Sequence, residues 1–518
     1  MSPPPRRWSV ANAAILVTGL TLISTLLGFI RDVVIAAVFG ASRELDAYLA
    51  AQGLMNIIVA FVAGAVARSA VPVTSREAAG ETDGCRGHRG FDTAFTITLL
   101  VLGVLGVLMA IFAAPVTTVI APGFDGPQAE LTAYLTRILL VATVLVAGTN
   151  LLAGLAQVHG RFGWSALEGV PFNIVMIAAA GVFGPRYGIV ALAIGFVIGS
   201  AARLLIQLPP LRAARVRIRP RFAVSDPGFR AIARLAPAML VGSAIGNVNT
   251  MVDRAVGSTL DDGAITALSY AWRLIDLPET LLVASLLVPL YPALGAAAAD
   301  RAEVRRLVGR GLSLIVTVLT PLSVILVVAA RPAVALVFGH GAFDADAVSQ
   351  TAVAMIWYVP ALLALSCRQL IVRASYAIGD SRTPVTIALI AMVLNLIGNL
   401  VLAPIMGVAG IALATSISIG TAAVLNGWLL WRKHAAVALR PLAGLVARAA
   451  GLGMVALAVG LGVRHLTSGL PSVVVGAAVG GAVLTVYFLG LFMLRVPEAI
   501  VFRQALGQVV RRRNRRSG

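Results

Sequence analysis

Charged residues are scarce in this chain, and lysine is almost absent. Only 12% of the 518 residues are charged, and Lys433 is the only lysine. Soluble domains carry about a quarter of their residues as charged side chains. Hydrophobic residues make up 59% of the chain, and the mean hydropathy is +0.93. This composition excludes an ordinary soluble protein.

The chain also lacks the usual signatures of metal sites and enzymes. Its two cysteines, Cys85 and Cys367, do not form a disulfide framework or a pattern with metal-ligand spacing. There is no P-loop, and the five histidines have no nucleophile partner in view. The net charge of +19 comes from short arginine-containing segments without interleaved aromatic residues, which does not favour nucleic-acid binding. We therefore expect neither an enzyme nor a metal or cofactor site.

Apolar runs of transmembrane length recur from one end of the chain to the other. They are continuous rather than alternating, which indicates helices and not a closed barrel. A helix needs roughly 20 apolar residues to cross a bilayer. The predicted spans are 11–40, 46–73, 92–121, 131–158, 164–184, 187–208, 229–256, 264–294, 306–338, 347–377, 383–405, 408–431, 443–464 and 471–495. The sequence thus predicts an all-α polytopic membrane protein with 14 transmembrane helices.

Arginines concentrate in alternate loops, as the positive-inside rule requires. The loops 122–130, 257–263 and 339–346 hold aspartates and almost no arginine. The arginine-containing segments are 76–90, 159–163, 209–228, 295–305, 378–382, 432–442 and the end of the chain. Single exceptions are Arg43, Arg186 and Arg464. We predict a multi-pass protein of the bacterial cytoplasmic membrane with both termini in the cytoplasm.

Short patterns recur at a nearly constant offset. Two glycine pairs are 219 residues apart and one Val-Pro pair is 217 residues apart: Gly160 and Gly379, Gly188 and Gly407, Val71-Pro72 and Val288-Pro289. The offset predicts two six-helix lobes of parallel repeat plus two extra C-terminal helices, an organisation found in transporters. The predicted divisions are an N-lobe (1–208), a basic cytoplasmic linker (209–228), a C-lobe (229–433), helices 13–14 (443–495) and a basic cytoplasmic tail (496–518).

Ionisable residues inside spans are informative, because each costs at least ~2.5 kcal/mol at mid-bilayer unless it has partners or water. Span one carries Arg31 and Asp32, and span eight carries Arg273, Asp276 and Glu279. Asp276 lies one helical turn from Arg273 and can pair with it. Arginine suits a pyrophosphate, because its planar guanidinium donates two parallel hydrogen bonds. We predict Arg31, Asp32 and Arg273 as substrate-binding residues, with Asp276 and Glu279 in gating or coupling.

Asp46 near the outer end of span two is either a helix N-cap or a gating residue. Arg68, Asp253 and Arg254 are weaker candidates for the site. Lone arginines such as Arg137 are interpreted as structural. The asparagines within spans are interpreted as hydrogen-bonding partners between helices: Asn173, Asn247, Asn249, Asn395 and Asn399.

Three stretches resemble a known family: LLGFIRDVVIAAVFGASRELDAY (26–48), ALSYAWRLIDLPETLLVASLLVPLYPAL (267–294) and RASYAIGDSRTPVTIALIAMVLNLIGNLVLAPIMGVAGIALATS (373–416). Together they resemble the MurJ/MviN lipid II flippases of the multidrug/oligosaccharidyl-lipid/polysaccharide (MOP) exporter superfamily, over about residues 10–435. The resemblance implies alternating access, a cationic cavity for the diphosphate and sugar, and a lipid-facing groove for the tail at spans thirteen and fourteen. Arg31, Asp32 and Arg273 match charged cavity residues of the family, and Asp46 matches an acidic position in its DAF-like motif.

The chain departs from the family pattern at several charged positions. Thr25 stands where the family usually has an arginine, and Val59 and Ala60 stand where it often has two more. The acidic residue expected beside Gly64 is also missing, and Arg68 restores one charge nearby. The cavity is therefore expected to be less cationic than in the family.

Three functions are weighed. The first is a flippase that moves an undecaprenyl-diphosphate-linked peptidoglycan precursor, as a monomer among bilayer lipids and in association with cell-wall synthesis proteins. The second is an exporter of another polyprenyl-linked oligosaccharide or amphiphile, which the missing arginines favour. The third is a non-transporting membrane scaffold, which should tolerate Arg273→Ala where a flippase should not.

Overall fold

The computed structural model describes residues 10–80, 88–214, 216–287 and 290–493. Side-chain positions are described for these residues except 10–16, 77–80, 238–245 and 282–287. Over this part of the chain the regular structure is helical throughout. Cys85, the Val288-Pro289 pair and the predicted tail at 496–518 lie outside the described residues.

The helices follow one another with short connections. In chain order they are α1 Val10–Phe39, α2 Arg43–Val59, α3 Ala65–Gly80, α4 Arg89–Ile111, α5 Ala113–Ile120, α6 Gly126–Val158, α7 Phe162–Leu167, α8 Gly169–Ala178, α9 Gly184–Tyr187, α10 Ile189–Leu205, α11 Leu208–Ala213, α12 Pro227–Gly257, α13 Ala264–Leu287, α14 Leu290–Ala296, α15 Arg301–Val328, α16 Ala330–Val337, α17 Ala345–Ala377, α18 Arg382–Met406, α19 Val408–His434, α20 Leu439–Leu466 and α21 Ser472–Met493. Two π-helical segments, Ala60–Gly64 and Ala179–Phe183, lie within the second and fifth predicted spans.

Twelve helical segments of the described chain are long and apolar enough to cross a membrane. They agree with twelve of the predicted spans, which confirms the all-α polytopic fold. Predicted spans seven and eight coincide with the helices α12 and α13, but these are not among the twelve. The predicted count of 14 is therefore not confirmed.

Short acidic and hydroxyl side chains begin several of these helices. Ser42 accepts from the Leu45 N–H before α2, and Asp125 accepts from the Gln128 N–H before α6. Asp226 and Asp300 accept in the same way at the starts of α12 and α15. Each oxygen satisfies N–H groups that have no partner within the helix, so these residues set where the helices begin.

Two predicted spans are each broken by a proline. Span 92–121 divides at Phe112 into α4 and α5, and span 306–338 divides at Ala329 into α15 and α16. Pro115 and Pro332 follow these breaks, and proline has no N–H to continue the helical hydrogen bonding. The two prolines are 217 residues apart, which is the offset of the sequence repeat. The interruption is therefore part of the repeat.

The glycine pairs of the repeat also share a backbone conformation. Gly160 and Gly379 have φ of 72° and 89°, and Gly188 and Gly407 have φ of 61° and 58°. Residues other than glycine rarely adopt these positive φ values. The recurrence of glycine at these positions is thus explained by the same turn occurring twice.

The chain forms two units, which are described separately. Unit 1 comprises Met1–Thr266 with His340–Asp344, and unit 2 comprises Ala267–Gly339 with Ala345–Gly518. In unit 1, α12 packs against α2 and α3, and its Ile232 joins a buried cluster with Phe91 and Leu151. In unit 2, α20 and α21 pack against α15 around Val328, Val483 and Tyr487. The predicted lobes at 1–208 and 229–433 stay a prediction.

Candidate functional site

Arg31 lies in α1 of unit 1 and is held from two directions. Its Nε and Nη2 donate to Asp32 Oδ1 at 3.0 and 2.7 Å, and its Nη1 donates to Asn173 Oδ1 at 3.1 Å. The Arg31 and Asp32 side chains are 23% and 13% exposed. Pairing with a carboxylate and an amide offsets the cost of burying the guanidinium. The structure thus brings together Arg31 and Asp32, as the sequence predicts.

Asn173 is placed beside Arg31 by close packing of α8 on α1. Its Nδ2 donates to the Ser24 carbonyl oxygen at 3.1 Å, and the side chain is buried. A Cβ added at Gly169, one turn earlier, would overlap Ser24 Oγ. The glycine therefore permits the approach that brings Asn173 within reach of Arg31. Asn173 thus forms hydrogen bonds between α8 and α1, and one of its partners is the candidate site residue Arg31.

A second guanidinium, that of Arg203, lies near Arg31 at the ring of Phe172. The Cζ atoms of Arg31 and Arg203 are 5.7 and 5.4 Å from the centre of the Phe172 ring. Arg203 Nη2 also contacts Glu168 Oε1 at 2.9 Å. Both cations are thus within cation–π distance of one aromatic ring. We call Arg31, Asp32, Asn173 and Phe172 the Arg31 group; an anion could bind it by replacing Asp32 or Asn173 as acceptor.

Asp46 caps a helix far away in the sequence. Its Oδ2 accepts from the Gly263 N–H at 2.9 Å, and its Oδ1 accepts from the N–H and Oγ1 of Thr266 at 2.7 and 2.6 Å. These donors lie at the start of α13, and only 2% of Asp46 is exposed. Its own helix α2 is capped by Ser42 instead. Asp46 is therefore a capping residue, and the helix that it caps is α13, which carries Arg273, rather than its own helix. Its gating role stays a prediction.

The weaker candidates of unit 1 make mostly backbone contacts. Arg254 Nη1 donates to the Leu49 carbonyl oxygen at 2.6 Å, and Arg68 Nε donates to the Gly64 carbonyl oxygen at 3.1 Å. Asp253 is partly buried beside Arg254, whereas Arg68 is exposed. These contacts tie Arg254 to α2 and keep Arg68 on its own helix. Roles for the three residues in substrate handling stay predictions.

In unit 2, the predicted pair on α13 is present but loose. Arg273 Nη1 lies 3.8 Å from Asp276 Oδ2, and the two side chains are 28% and 39% exposed. Glu279 is buried, and its Oε1 accepts from Gln369 Nε2 of α17 at 2.6 Å. The Arg273–Asp276 distance is thus longer than the Arg31–Asp32 distance, while Glu279 is fixed by a neighbouring helix. We call Arg273 and Asp276 the Arg273 group.

No cation stands at the positions where the family pattern has arginines. Thr25 Oγ1 donates to the Thr21 carbonyl oxygen at 2.9 Å, within its own helix. Val59 is buried, and Ala60 begins the π-helical segment Ala60–Gly64. The predicted basic candidates of unit 1 are therefore Arg31, Arg68 and Arg254, and Arg203 is an unpredicted neighbour of Arg31.

Comparisons with known proteins agree on one family. A family model for the lipid II flippase MurJ matches residues 35–479. The lipid II flippase MurJ of Burkholderia cenocepacia is 31% identical over 436 residues, which are 81% of this chain and 83% of the relative. The probable lipid II flippase MurJ of Vibrio cholerae is 30% identical over 440 residues, 81% of this chain and 82% of the relative.

Solved structures show the same fold. A lipid II flippase MurJ in an inward closed conformation superposes with a TM-score of 0.77 at 23% identity, covering 92% of this chain and all of that one. An inward-facing multidrug resistance MATE family transporter of the MOP superfamily superposes with a TM-score of 0.65 at 16% identity, covering 83% of this chain and 98% of that one. The arrangement of helices is thus shared with both of these solved structures.

Proposed function

Because the chain belongs to the lipid II flippase MurJ family, we propose that it carries lipid II from the cytoplasmic to the outer leaflet of the bacterial inner membrane. The match over residues 35–479 is the observation that carries this proposal. The chain is a multi-pass membrane protein, and the arginine-containing loops support an orientation with both termini in the cytoplasm. It acts by alternating access as a transporter without catalytic chemistry, and it works as a monomer beside cell-wall synthesis proteins.

Arg31 is the side chain best suited to receive the diphosphate. Asp32 and Asn173 hold its guanidinium in place when no ligand is bound. Phosphate oxygens can replace these acceptors with bidentate geometry, and the charge of Asp32 keeps Arg31 from being left unpaired after release. In unit 2, Arg273 and Asp276 have the same chemistry, with a separation of 3.8 Å.

Three further elements serve the transport cycle. Asp46 fixes the start of α13 through its hydrogen bonds with Gly263 and Thr266, so a movement of this helix start away from Asp46 must break them. Glu279 couples α13 to α17 through Gln369. The exposed apolar side chains of α20 and α21 line the path of the polyprenyl tail, with Met454 67% and Phe492 63% exposed.

The test is replacement of the native flippase. In a bacterium depleted of its own lipid II flippase, expression of this chain should restore growth and surface-exposed lipid II, whereas Arg273→Ala should not. Removing a charged hydrogen-bonding partner costs about 1.5–3 kcal/mol, roughly ten- to hundredfold in affinity. Arg448→Ala is the matched control, since Arg448 is an exposed arginine that bonds only to the Gly444 carbonyl in the described structure.

A second candidate is the export of another polyprenyl-linked saccharide, and the neutral residues Thr25, Val59 and Ala60 favour it. Fewer cations would suit a headgroup with less negative charge than lipid II. Failure of the wild-type chain to expose lipid II, despite correct insertion, would favour this candidate. A scaffold would not rescue the depleted bacterium, and in the native host its phenotype should be unchanged by Arg273→Ala.

A further inference from the structure

A cavity of about 450 Å³ opens in unit 2 where α16, α20 and α21 meet. Arg331 of α16 and Arg464 and His465 of α20 line it, together with Ser468 and Ser472. Among the described residues that line the cavity there is no carboxylate. Its volume is in the range of about 300–1,000 Å³ that is usual for small-ligand sites. The cavity thus offers cations and hydroxyls to a ligand that carries negative charge.

The cavity lies at the membrane face whose loops contain few arginines. Helix α20 begins at Leu439, beside the basic segment 432–442, and Arg464 and His465 are in its last turn. A helix of 28 residues spans a bilayer, so the cavity is at the opposite face. The positive-inside rule disfavours basic residues at this face. An anionic ligand would compensate the positive charge of the basic residues in the cavity.

Arg464 has a structural role that does not use all of its donors. Its Nη1 donates to the Val328 carbonyl oxygen at 3.1 Å. That carbonyl is the one from which Pro332 withholds a helical N–H. In unit 1, Arg137 Nε donates to the Ala110 carbonyl oxygen at 3.1 Å near the other proline break, one residue before the carbonyl that Pro115 leaves without a helical N–H. A guanidinium has five N–H donors, so this contact leaves Arg464 able to bind a ligand as well.

Arg331 differs from Arg464 in its position, because it is an exposed residue of the first turn of α16. It lines the cavity together with Ser472, where α21 begins. The N-terminus of a helix carries a partial positive charge that favours anions. Two arginines and a helix N-terminus therefore face one space, which is the arrangement that binds a phosphate group.

The surroundings of the cavity are apolar and exposed. Leu461 and Leu470 line it and are 47% and 51% exposed, and the neighbouring Leu466 and Val473 are 84% and 58% exposed. A soluble phosphate would gain nothing from these side chains, whereas a lipid would cover them with its hydrocarbon chain. We propose that this cavity binds the phosphate group of an anionic lipid, with the lipid chain lying along α20 and α21.

The proposal is tested on the full-length protein in detergent by native mass spectrometry, with phosphatidylglycerol, phosphatidylcholine and undecaprenyl diphosphate as probes. The wild type should retain phosphatidylglycerol or undecaprenyl diphosphate in preference to phosphatidylcholine. Arg331→Gln should weaken that retention about tenfold, as expected for one lost charge-assisted contact. Loss of phosphatidylglycerol in Arg331→Gln assigns the site to phospholipid, and loss of undecaprenyl diphosphate alone in that variant assigns it to polyprenyl lipid.

Two further variants make the result specific. Arg137→Gln loses the Ala110 carbonyl contact outside this cavity and should retain lipid as the wild type does. Ser468→Trp obstructs the cavity from an exposed loop position and should reproduce the loss even if Arg331→Gln folds poorly. The proposal is overturned if Ser468→Trp retains anionic lipid like the wild type. It is also overturned if the wild type does not distinguish anionic lipid from phosphatidylcholine, or if inorganic phosphate displaces the bound lipid completely.

Discussion

Arg31→Ala should abolish the rescue of a flippase-depleted bacterium and weaken headgroup binding by roughly a hundredfold. The variant removes the guanidinium that would pair with the diphosphate, and two charge-assisted bonds lost at about 1.5 kcal/mol each account for that factor. Arg31→Lys should lose about tenfold, because lysine keeps the charge but not the bidentate geometry. Binding of a soluble-tailed lipid II analogue to the purified protein measures both effects.

A control is needed because Arg31→Ala also leaves Asp32 in the span without its cation. An uncompensated buried charge costs about 3–5 kcal/mol, so some of the loss could come from poor folding. The double variant Arg31→Ala/Asp32→Ala removes both charges and should recover thermal stability but not binding. If binding returns together with stability, Arg31 does not contact the substrate.

Asp46→Ala should lower the free energy of unfolding by on the order of 3 kcal/mol. The carboxylate accepts three hydrogen bonds from Gly263 and Thr266 while almost completely buried. A lost helix cap costs about 1 kcal/mol, and unsatisfied buried N–H groups add about 1–3 kcal/mol. Thermal unfolding in detergent measures the loss, and hydrogen exchange of the Gly263 and Thr266 amides should accelerate.

Asp262→Ala is the matched control for this prediction. Asp262 lies in the same loop and pairs with Arg43, but the two side chains are 58% and 54% exposed. Exposed ion pairs contribute about 0–1 kcal/mol, so this variant should unfold almost like the wild type. Thr266→Val should lie between the two, since it removes only the hydroxyl donor. Equal stability of Asp46→Ala and Asp262→Ala would show that the cap does not hold α13.

Helices and their order were predictable, because hydropathy over about 20 residues reports directly on membrane spans. The breaks at Phe112 and Ala329 were missed, although Pro115 and Pro332 signal them. A proline within an apolar run is ambiguous, since neighbouring groups in a membrane protein can satisfy the freed carbonyl. Arg464 does so at the second break, whereas Arg137 bonds the neighbouring Ala110 carbonyl near the first.

The composition of the Arg31 group was only half predictable. Asp32 is adjacent in sequence, so its pairing with Arg31 follows from the sequence itself. Asn173 is 142 residues away, and its contact depends on the packing of α8 against α1. Thr266 is likewise 220 residues from Asp46. Such pairs are fixed by tertiary packing, on which one sequence carries no direct information.

The π-helical segment Ala60–Gly64 affects which residues correspond when this helix is aligned with a regular α-helix. A π turn accommodates one residue more than an α turn, so it acts as a single-residue insertion within a continuous helix. Each α-helical residue turns the helix by about 100°. Deleting one residue of Ala60–Gly64 should therefore convert the π turn into an α turn and keep Arg68 on nearly the same face relative to Asn56, whereas the same deletion from a regular α-helix would turn it by about that angle. Alignments of this helix with regular α-helices thus need a one-residue gap here, and the gap decides which residue corresponds to Arg68.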